Sequence, residues 1–337
     1  MFKIGENIVL NKFYNDVKVK NNIVNVLAPA RLHISIMNPY NMILEKLGGG
    51  GIGLALNLNN IITIEVIENN EDIIIHEKKA VIEHFLIIMR KLFNSNIHFK
   101  VSVQFDPNMK EHCGLASNSM LSSAIIYGVN HIFGDILTKY ELVEILDNNF
   151  VESHENFLVK DICTGIAHNT CFFGGLCIVS ADGKLINKYN FPEYYKIFLI
   201  KADKINKKDN IKTEQNIVQL LQQYDNNTYL KKSYIILNHI IPDLDKNNFD
   251  SLFKYNYTFQ HYNNEKNVLD FYFINNVSVR NFLLEFEKIP NVMAGLSTNA
   301  KYVYIISKNT ELIKDICSDK KIKYSLYSVN NNGVAIT

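Results

Sequence analysis

Residues 112–121 read His-Cys-Gly-Leu-Ala-Ser-Asn-Ser-Met-Leu, and they run from a polar turn directly into a helix. Upstream, VSVQFD (101–106) alternates as a strand and stops at Pro107. Downstream, the apolar residues of LASNSMLSSAIIYGVNHIFG (115–134) return at helical spacing. Gly114, Leu115, Ala116, Ser117, Asn118 and Ser119 therefore open a helix with mostly small side chains. Its first N–H groups are left without side-chain cover, and the helix dipole adds positive potential there. Ser117 and Ser119 supply hydroxyl donors, Asn118 is suited to capping, and His112 borders the turn. The arrangement fits a phosphate or pyrophosphate; the plainer reading is an ordinary serine-rich helix start.

NVLAPARLHISIM (25–37), GLALNL (53–58) and IITIEVIE (61–68) are short, rich in β-branched residues and bounded by Gly, Asn or Pro, as strands are. Between the first two stands Gly48-Gly49-Gly50-Gly51-Ile52-Gly53. Gly50 and Gly51 leave backbone able to approach a ligand, or simply make a flexible hairpin. A strand follows rather than a helix, so the dinucleotide-binding glycine fingerprint does not apply. KAVIEHFLIIMRKLF (79–93) has helical spacing, and 141–159 reads as another helix.

After that helix, Lys160-Asp161-Ile162-Cys163-Thr164-Gly165 leads to the strand GGLCIVSA (174–181). Asp161 is placed to orient a lysine, to bind Mg²⁺ or merely to cap the turn. The lysine-rich stretch 204–210 suits a loop or domain seam. Helices are expected over 214–224, 229–240 and 277–288, then strands at KYVYIIS (301–307) and at the closing NNNGVAIT. Gly295, Ser297, Thr298 and Asn299 lie between a helix and a strand, the place for a second backbone-lined loop. A strand-rich first half and a helix-rich second half predict two α+β units, and the length of 337 residues agrees with two domains.

Composition excludes several classes. Formal net charge is +1 with both signs spread along the chain, so no basic block points to nucleic acid. The five cysteines form no CxxC pair, which favours free thiols in a reducing compartment over a disulfide or zinc framework. No charge-free apolar run reaches the roughly 20 residues of a membrane span, and the opening MFKIGENIVLNKFYND lacks the core of a signal peptide, so a cytoplasmic protein is expected. No HxxxH or HxH pair suggests a metal centre, and His33 reads as a partly buried strand histidine. No G-x-S-x-G elbow supports a hydrolase.

Taken together, these stretches resemble the GHMP kinase superfamily over nearly the whole chain. APARLHISI is similar to its first strand, CGLASNSML to its phosphate loop (P-x-x-x-G-L-G-S-S-A) and AGLSTNAKYVYII to its C-terminal glycine motif. The nearest resemblance within it is to β-ribofuranosylaminobenzene 5′-phosphate synthase. ARLHISI resembles that family's S-R-[IL]-H, GGIGLAL its D-G-G-[IV]-G-[IL]-A-L, GLASNSML its G-L-G-S-G-T-Q-L and NNNGVAI its N-[KR]-G-A ending. Two departures stand out: Leu47-Gly48-Gly49 stands where that family has R-V-D before G-G, so an Arg and an Asp are missing, and Lys160–Gly165 replaces R-G-G-T-S-G. Superfamily kinases carry a catalytic Asp where this chain has Ala167, followed by His168.

The resemblance implies a two-domain GHMP-kinase fold of α+β class: a ribosomal-S5-domain-2-like unit over 1–190 and a ferredoxin-like unit over 191–337. It implies a transferase joining phosphoribosyl pyrophosphate to an aromatic acid, with loss of CO₂ and pyrophosphate and with Mg²⁺ as cofactor. Arg31, Lys160 and Asp161 would be catalytic. His33, Gly50, Gly51, His112, residues 114–119, Thr164, Gly295, Ser297, Thr298 and Asn299 would line the phosphate and substrate site. Glu152 and Glu155 would hold the metal, or else form a solvated helix face. The alternatives are an ATP-dependent small-molecule kinase and a non-catalytic nucleotide or metabolite sensor. The expected partners are a phosphorylated small molecule and an aromatic acid acceptor, with no nucleic acid or membrane; a homodimer is compatible with this.

Overall fold

The computed structural model describes residues 4–6, 13–37, 48–107, 115–154, 157–160, 163–202, 226–260, 277–297 and 302–337. The chain opens with the strands β1 (Ile23–Ile36), β2 (Gly51–Ile67) and β3 (Ile73–Ile75). Helix α1 (Lys79–Leu92) and strand β4 (His98–Gln104) follow, then α2 (Ser117–Ile132) and α3 (Lys139–Asn148). Next come β5 (Val151–His154), β6 (Phe157–Lys160), α4 (Ile166–Phe173), β7 (Leu176–Val179) and β8 (Leu185–Tyr189).

The second half begins with β9 (Lys196–Lys201), and then α5 (Asn226–Ile235) runs through a π-helical turn (Ile236–Ile240) into α6 (Ile241–Leu244). Pro242 in α6 lacks an N–H and crowds the preceding turn, which accounts for the widened π segment just before it. α7 (Asp250–Gln260), α8 (Val277–Glu287), β10 (Val292–Leu296), β11 (Tyr302–Ser307), α9 (Thr310–Asp319), β12 (Ser325–Tyr327) and β13 (Ala335–Ile336) complete the order.

The first sheet runs β13-β1-β2-β4-β3, with β7 and β8 continuing from the lower half of β2. β1 and β2 pair antiparallel, but the register slips between Ala28 and Ala30. Pro29 sits in that slip, where a residue with no N–H to offer the ladder is tolerated. Helices α2 and α4 pack on this sheet, against each other and across β1 and β2. α1 buries Val81, Ile82, Phe85, Leu86, Ile88, Met89 and Leu92 at helical spacing.

One helix of the sequence reading is shorter than expected. α3 stops at Asn148, and β5 (Val151–His154) and β6 (Phe157–Lys160) pair antiparallel. Asn149 ends the helix by turning its side-chain amide back onto the carbonyl of Ile145 at 2.8 Å. Val151–His154 then follows as β5.

The second sheet is antiparallel in the order β10-β11-β9-β12. That is the 4-1-3-2 arrangement of a ferredoxin-like unit, with α8 and α9 burying Phe282, Phe286, Ile313 and Cys317 against one face. The other face contributes Ile197, Leu199, Tyr304 and Ile306 to the large core shared with the first sheet. The tail then returns to the first sheet: Val329 bridges Leu56, and β13 pairs with β1. The chain thus has the expected α+β fold, with two large sheets besides the small β5–β6 ribbon among the described residues, although its last strand belongs to the first of them.

Candidate active site

α2 begins in an unusual way. Its N-cap, Ala116, adopts the left-handed conformation (φ 63°) and offers no side-chain cap of its own. Ser117, Asn118 and Ser119 are all buried. Lys78, the N-cap residue of α1, reaches this point: its ammonium donates to Ser117 Oγ at 3.3 Å and to the side-chain carbonyl of Asn118. Lys78 is itself only 4% exposed. The positive ends of two helices and an ammonium are therefore held close together in a buried position. A polyphosphate is the ligand that such a field favours.

β1 leads away from this point. The N–H of Arg31 donates to the carbonyl of Leu115, just ahead of α2, while Met37 donates to Gly50 at the far end. Arg31 and His33 pair with Ala55 and Gly53 of β2 and are buried on the side that meets α4. Burial lowers the Arg31 guanidinium to about 10, partly opposed by Cys171 and Cys163. Burial, followed by the fields of Arg31 and Lys232, holds His33 well below the usual histidine range, so its imidazole is neutral.

Lys232 comes from α5, and sequence reading did not single it out. Its ammonium donates to the carbonyl of Ile36 at 3.0 Å and stands over the Phe259 ring. Burial brings it down to about 7. Arg31, His33 and Lys232 thus present three protonatable groups along one strand, between the start of α2 and the glycine stretch.

The glycines have a local explanation. A Cβ on Gly50 would lie 2.1 Å from the carbonyl oxygen of Ser180, so the loop is pressed against the end of β7. This close approach to its own backbone, rather than to a ligand, is what requires glycine there; Gly51 likewise lies against Ser35. At Gly295 a Cβ would meet the hydroxyl of Tyr304 at 2.4 Å. That hydroxyl donates to Asn256, whose amide donates to the carbonyl of Ala294. Ser297 closes the β10–β11 connection, accepting from the N–H of Tyr302 at 3.1 Å. Thr164 accepts from the N–H of Ile166 and caps the entry to α4.

α4 supplies no carboxylate. Ala167 is 7% exposed, and His168 turns its Nδ1 to Asp147 at 2.6 Å. His112, Gly114, Asp161, Thr298, Asn299 and Glu155 lie outside the described residues, as do the side chains of Lys160 and Glu152. Among the described residues, the one cluster of three metal-ligating side chains is Asp147, Cys163 and His168, which contains a thiol and is unsuited to Mg²⁺. The expected Mg²⁺ residues, Glu152 and Glu155, are among those outside the described side chains. No helix among the described residues is long and apolar enough to cross a membrane, and the four described cysteines are buried and outside any disulfide.

No protein-family model matches the sequence, and no curated protein does. Solved structures do match in shape. A homoserine kinase from Cytophaga hutchinsonii has a TM-score of 0.66 at 12% identity, over 95% of this chain and 99% of that one. A mevalonate pyrophosphate decarboxylase from Streptococcus pyogenes has a TM-score of 0.64 at 14% identity, over 93% and 99%. A mevalonate-3-kinase from Thermoplasma acidophilum, solved with mevalonate 3-phosphate and ADP, has a TM-score of 0.62 at 13% identity, over 94% and 98%. At such identities the likeness establishes architecture, and the architecture is the GHMP-kinase fold over nearly the whole chain.

Proposed function

We propose that this protein is a phosphotransferase that binds a Mg²⁺-nucleotide at the start of α2 and an anionic small molecule along β1. The observation that carries this reading is the buried Lys78 ammonium on Ser117 and Asn118, at the meeting of two helix N-termini. Structures of the same fold that hold ADP, or a nucleotide analogue with magnesium, support it. Phosphoryl transfer asks the protein mainly for positioning and charge neutralisation. The N–H groups of residues 117–119 and the Lys78 ammonium would hold the phosphates, while Arg31 and Lys232 would grip a carboxylate or phosphate of the acceptor. Mg²⁺ would arrive on the phosphate oxygens and complete the neutralisation when bound.

The missing carboxylate at Ala167 removes the usual proton acceptor for an attacking hydroxyl. General-base help is typically worth about 10²–10⁴-fold, so a slow kinase, or one whose acceptor is already an anion, fits the residues best. The same absence favours a second reading, a phosphoribosyl transfer to an aromatic acid, in which no hydroxyl has to be deprotonated. There Arg31 would hold the carboxylate that is lost, and the start of α2 would hold the departing pyrophosphate.

Incubation with Mg²⁺-ATP and a panel of hydroxy acids, polyols and phosphomonoesters, following ADP, tests the first reading. Acceptor-dependent ADP formation is expected. Pyrophosphate and CO₂ release from phosphoribosyl pyrophosphate with a hydroxy- or aminobenzoate, without ADP, would select the second instead. Absence of both, with tight nucleotide binding, would leave a sensor.

A further inference from the structure

Three side chains from separate elements meet beneath the entry to α4. Asp147 comes from the last turn of α3, Cys163 from the segment after β6 and His168 from the first turn of α4. Cys163 Sγ lies 3.1 Å from Asp147 Oδ1 and 3.5 Å from His168 Nδ1, and that nitrogen lies 2.6 Å from Asp147 Oδ1. All three residues are buried. A nucleophile–base–acid relay would use both imidazole nitrogens, one for each partner. Here the thiol and the carboxylate share one nitrogen, so three different donor atoms converge on one point. That is how ligands surround a metal ion.

We propose that Asp147, Cys163 and His168 bind a divalent transition-metal ion, with zinc the best fit. Bonds of about 2.3 Å to sulfur and about 2.0–2.2 Å to nitrogen and oxygen, set tetrahedrally, require a sulfur–nitrogen edge of about 3.5 Å. The Cys163–His168 edge already has that length. The sulfur–oxygen edge must open by about 0.5 Å and the nitrogen–oxygen edge by about 0.8 Å, within reach of a χ adjustment at Asp147. Charge points the same way. A thiolate and a carboxylate together balance a divalent cation, so the buried site becomes neutral.

The surroundings suit a metal-bound thiolate and imidazole. The N–H of Gly165 donates to Cys163 Sγ at 3.4 Å, the kind of outer hydrogen bond that steadies a ligating sulfur. Nδ1 ligation leaves the proton of His168 on Nε2, which is buried without a hydrogen-bond partner. The ring stands T-shaped to Phe150 with centroids 4.8 Å apart, a geometry compatible with an N–H resting on an aromatic face. Three protein donors leave a fourth position for a water or another ligand, as in zinc sites that act on what they bind. A thiol in the set disfavours Mg²⁺ and Ca²⁺.

The full-length protein, stripped with a chelator and titrated with Co²⁺, tests the proposal. One equivalent should bind and give a thiolate-to-cobalt charge-transfer band together with tetrahedral d–d absorption, both removed by one equivalent of Zn²⁺. Cys163→Ser should abolish the charge-transfer band, and His168→Gln should weaken binding at least 10-fold. Should a variant fail to fold, the wild type still decides: Zn²⁺ should raise the Tm of the stripped protein and Mg²⁺ should not. Stripped wild type that takes up no Co²⁺, or a folded Cys163→Ser protein with an undiminished band, overturns the site. None of these readouts depends on nucleotide binding, so the result is separable from the phosphotransferase reading.

Discussion

The ammonium of Lys78 lies 3.3 Å from the hydroxyl of Ser117, which ties the N-cap residue of α1 to the first residue of α2. A cation at the positive end of a helix opposes the dipole, so this pairing is expected where an anion is to be received. Replacing Lys78 with Met should leave the fold intact and lower affinity for a Mg²⁺-bound, non-hydrolysable ATP analogue by at least 10-fold, about 1.4 kcal/mol. Isothermal titration is the measurement. Unchanged affinity in a folded variant would remove the polyphosphate from this end of α2.

Ala116 occupies the left-handed region at φ 63°, where a Cβ costs roughly 1–2 kcal/mol. The phosphate-loop pattern that this segment resembles has glycine at the same place. Ala116→Gly should therefore stabilise the protein by up to about 1 kcal/mol once the extra chain entropy of glycine is subtracted. The midpoint of urea unfolding should rise with an unchanged slope. Ala116→Val, β-branched in the same conformation, should lower it. A glycine variant less stable than wild type would show that the loop is not strained.

Lys232 carries a pH signature. Burial holds it at about 7, against 10.5 for a free lysine. Between those values the unfolded chain binds more protons than the folded one, so the contribution disfavours folding at neutral pH and is relieved as pH rises from about 7 towards 10. Lys232→Met should remove that slope and stabilise the protein at pH 7, by roughly 4 kcal/mol at most. The same variant should raise the KM for an anionic acceptor at least 10-fold, with nucleotide affinity unchanged. Denaturant titrations at pH 6, 7, 8 and 9 give the answer. Parallel pH dependence in wild type and variant would count against a proton-poor Lys232.

The fold was legible where periodicity is strong. The alternation in 25–37 and 53–68 and the small-residue entry to α2 place both long strands and the phosphate-loop-like helix correctly. The β5–β6 pairing was not legible, because Leu142, Val143 and Leu146 set up a helical spacing that the apolar Phe150 and Val151 extend. One side chain, Asn149 folding back on Ile145, ends the helix, and no pattern announces it. The second sheet was partly hidden because β9 pairs with β11 and β12, over a hundred residues downstream. Of the proposed site, Arg31 and His33 are suggested by a charged strand, and Ser117–Ser119 by the helix start. Lys78 and Lys232 could not, since each is an unremarkable lysine until tertiary packing buries it. The same holds for Asp147, Cys163 and His168, whose spacing matches no ligand motif.

Ala167 offers the most direct trial of the phosphotransferase reading. It lies in the first turn of α4, buried, at the place where kinases of the superfamily that this sequence resembles carry their catalytic Asp. An acid in a first turn is favoured by the helix dipole, by about 0.3–1 kcal/mol, which partly offsets the cost of burying it. If the acceptor's hydroxyl is deprotonated without help in the wild type, Ala167→Asp should raise kcat for ADP formation by at least 10-fold. KM for the nucleotide should stay within a few-fold, because the start of α2 is untouched. The gain should appear above the pKa of the new carboxylate and vanish in Ala167→Asn, which has the same size but cannot accept the proton. A folded Ala167→Asp protein that still binds nucleotide but is no faster than wild type would mean that proton removal does not limit the reaction. Loss of ADP formation together with retained pyrophosphate release would instead favour phosphoribosyl transfer, which requires no base at this position.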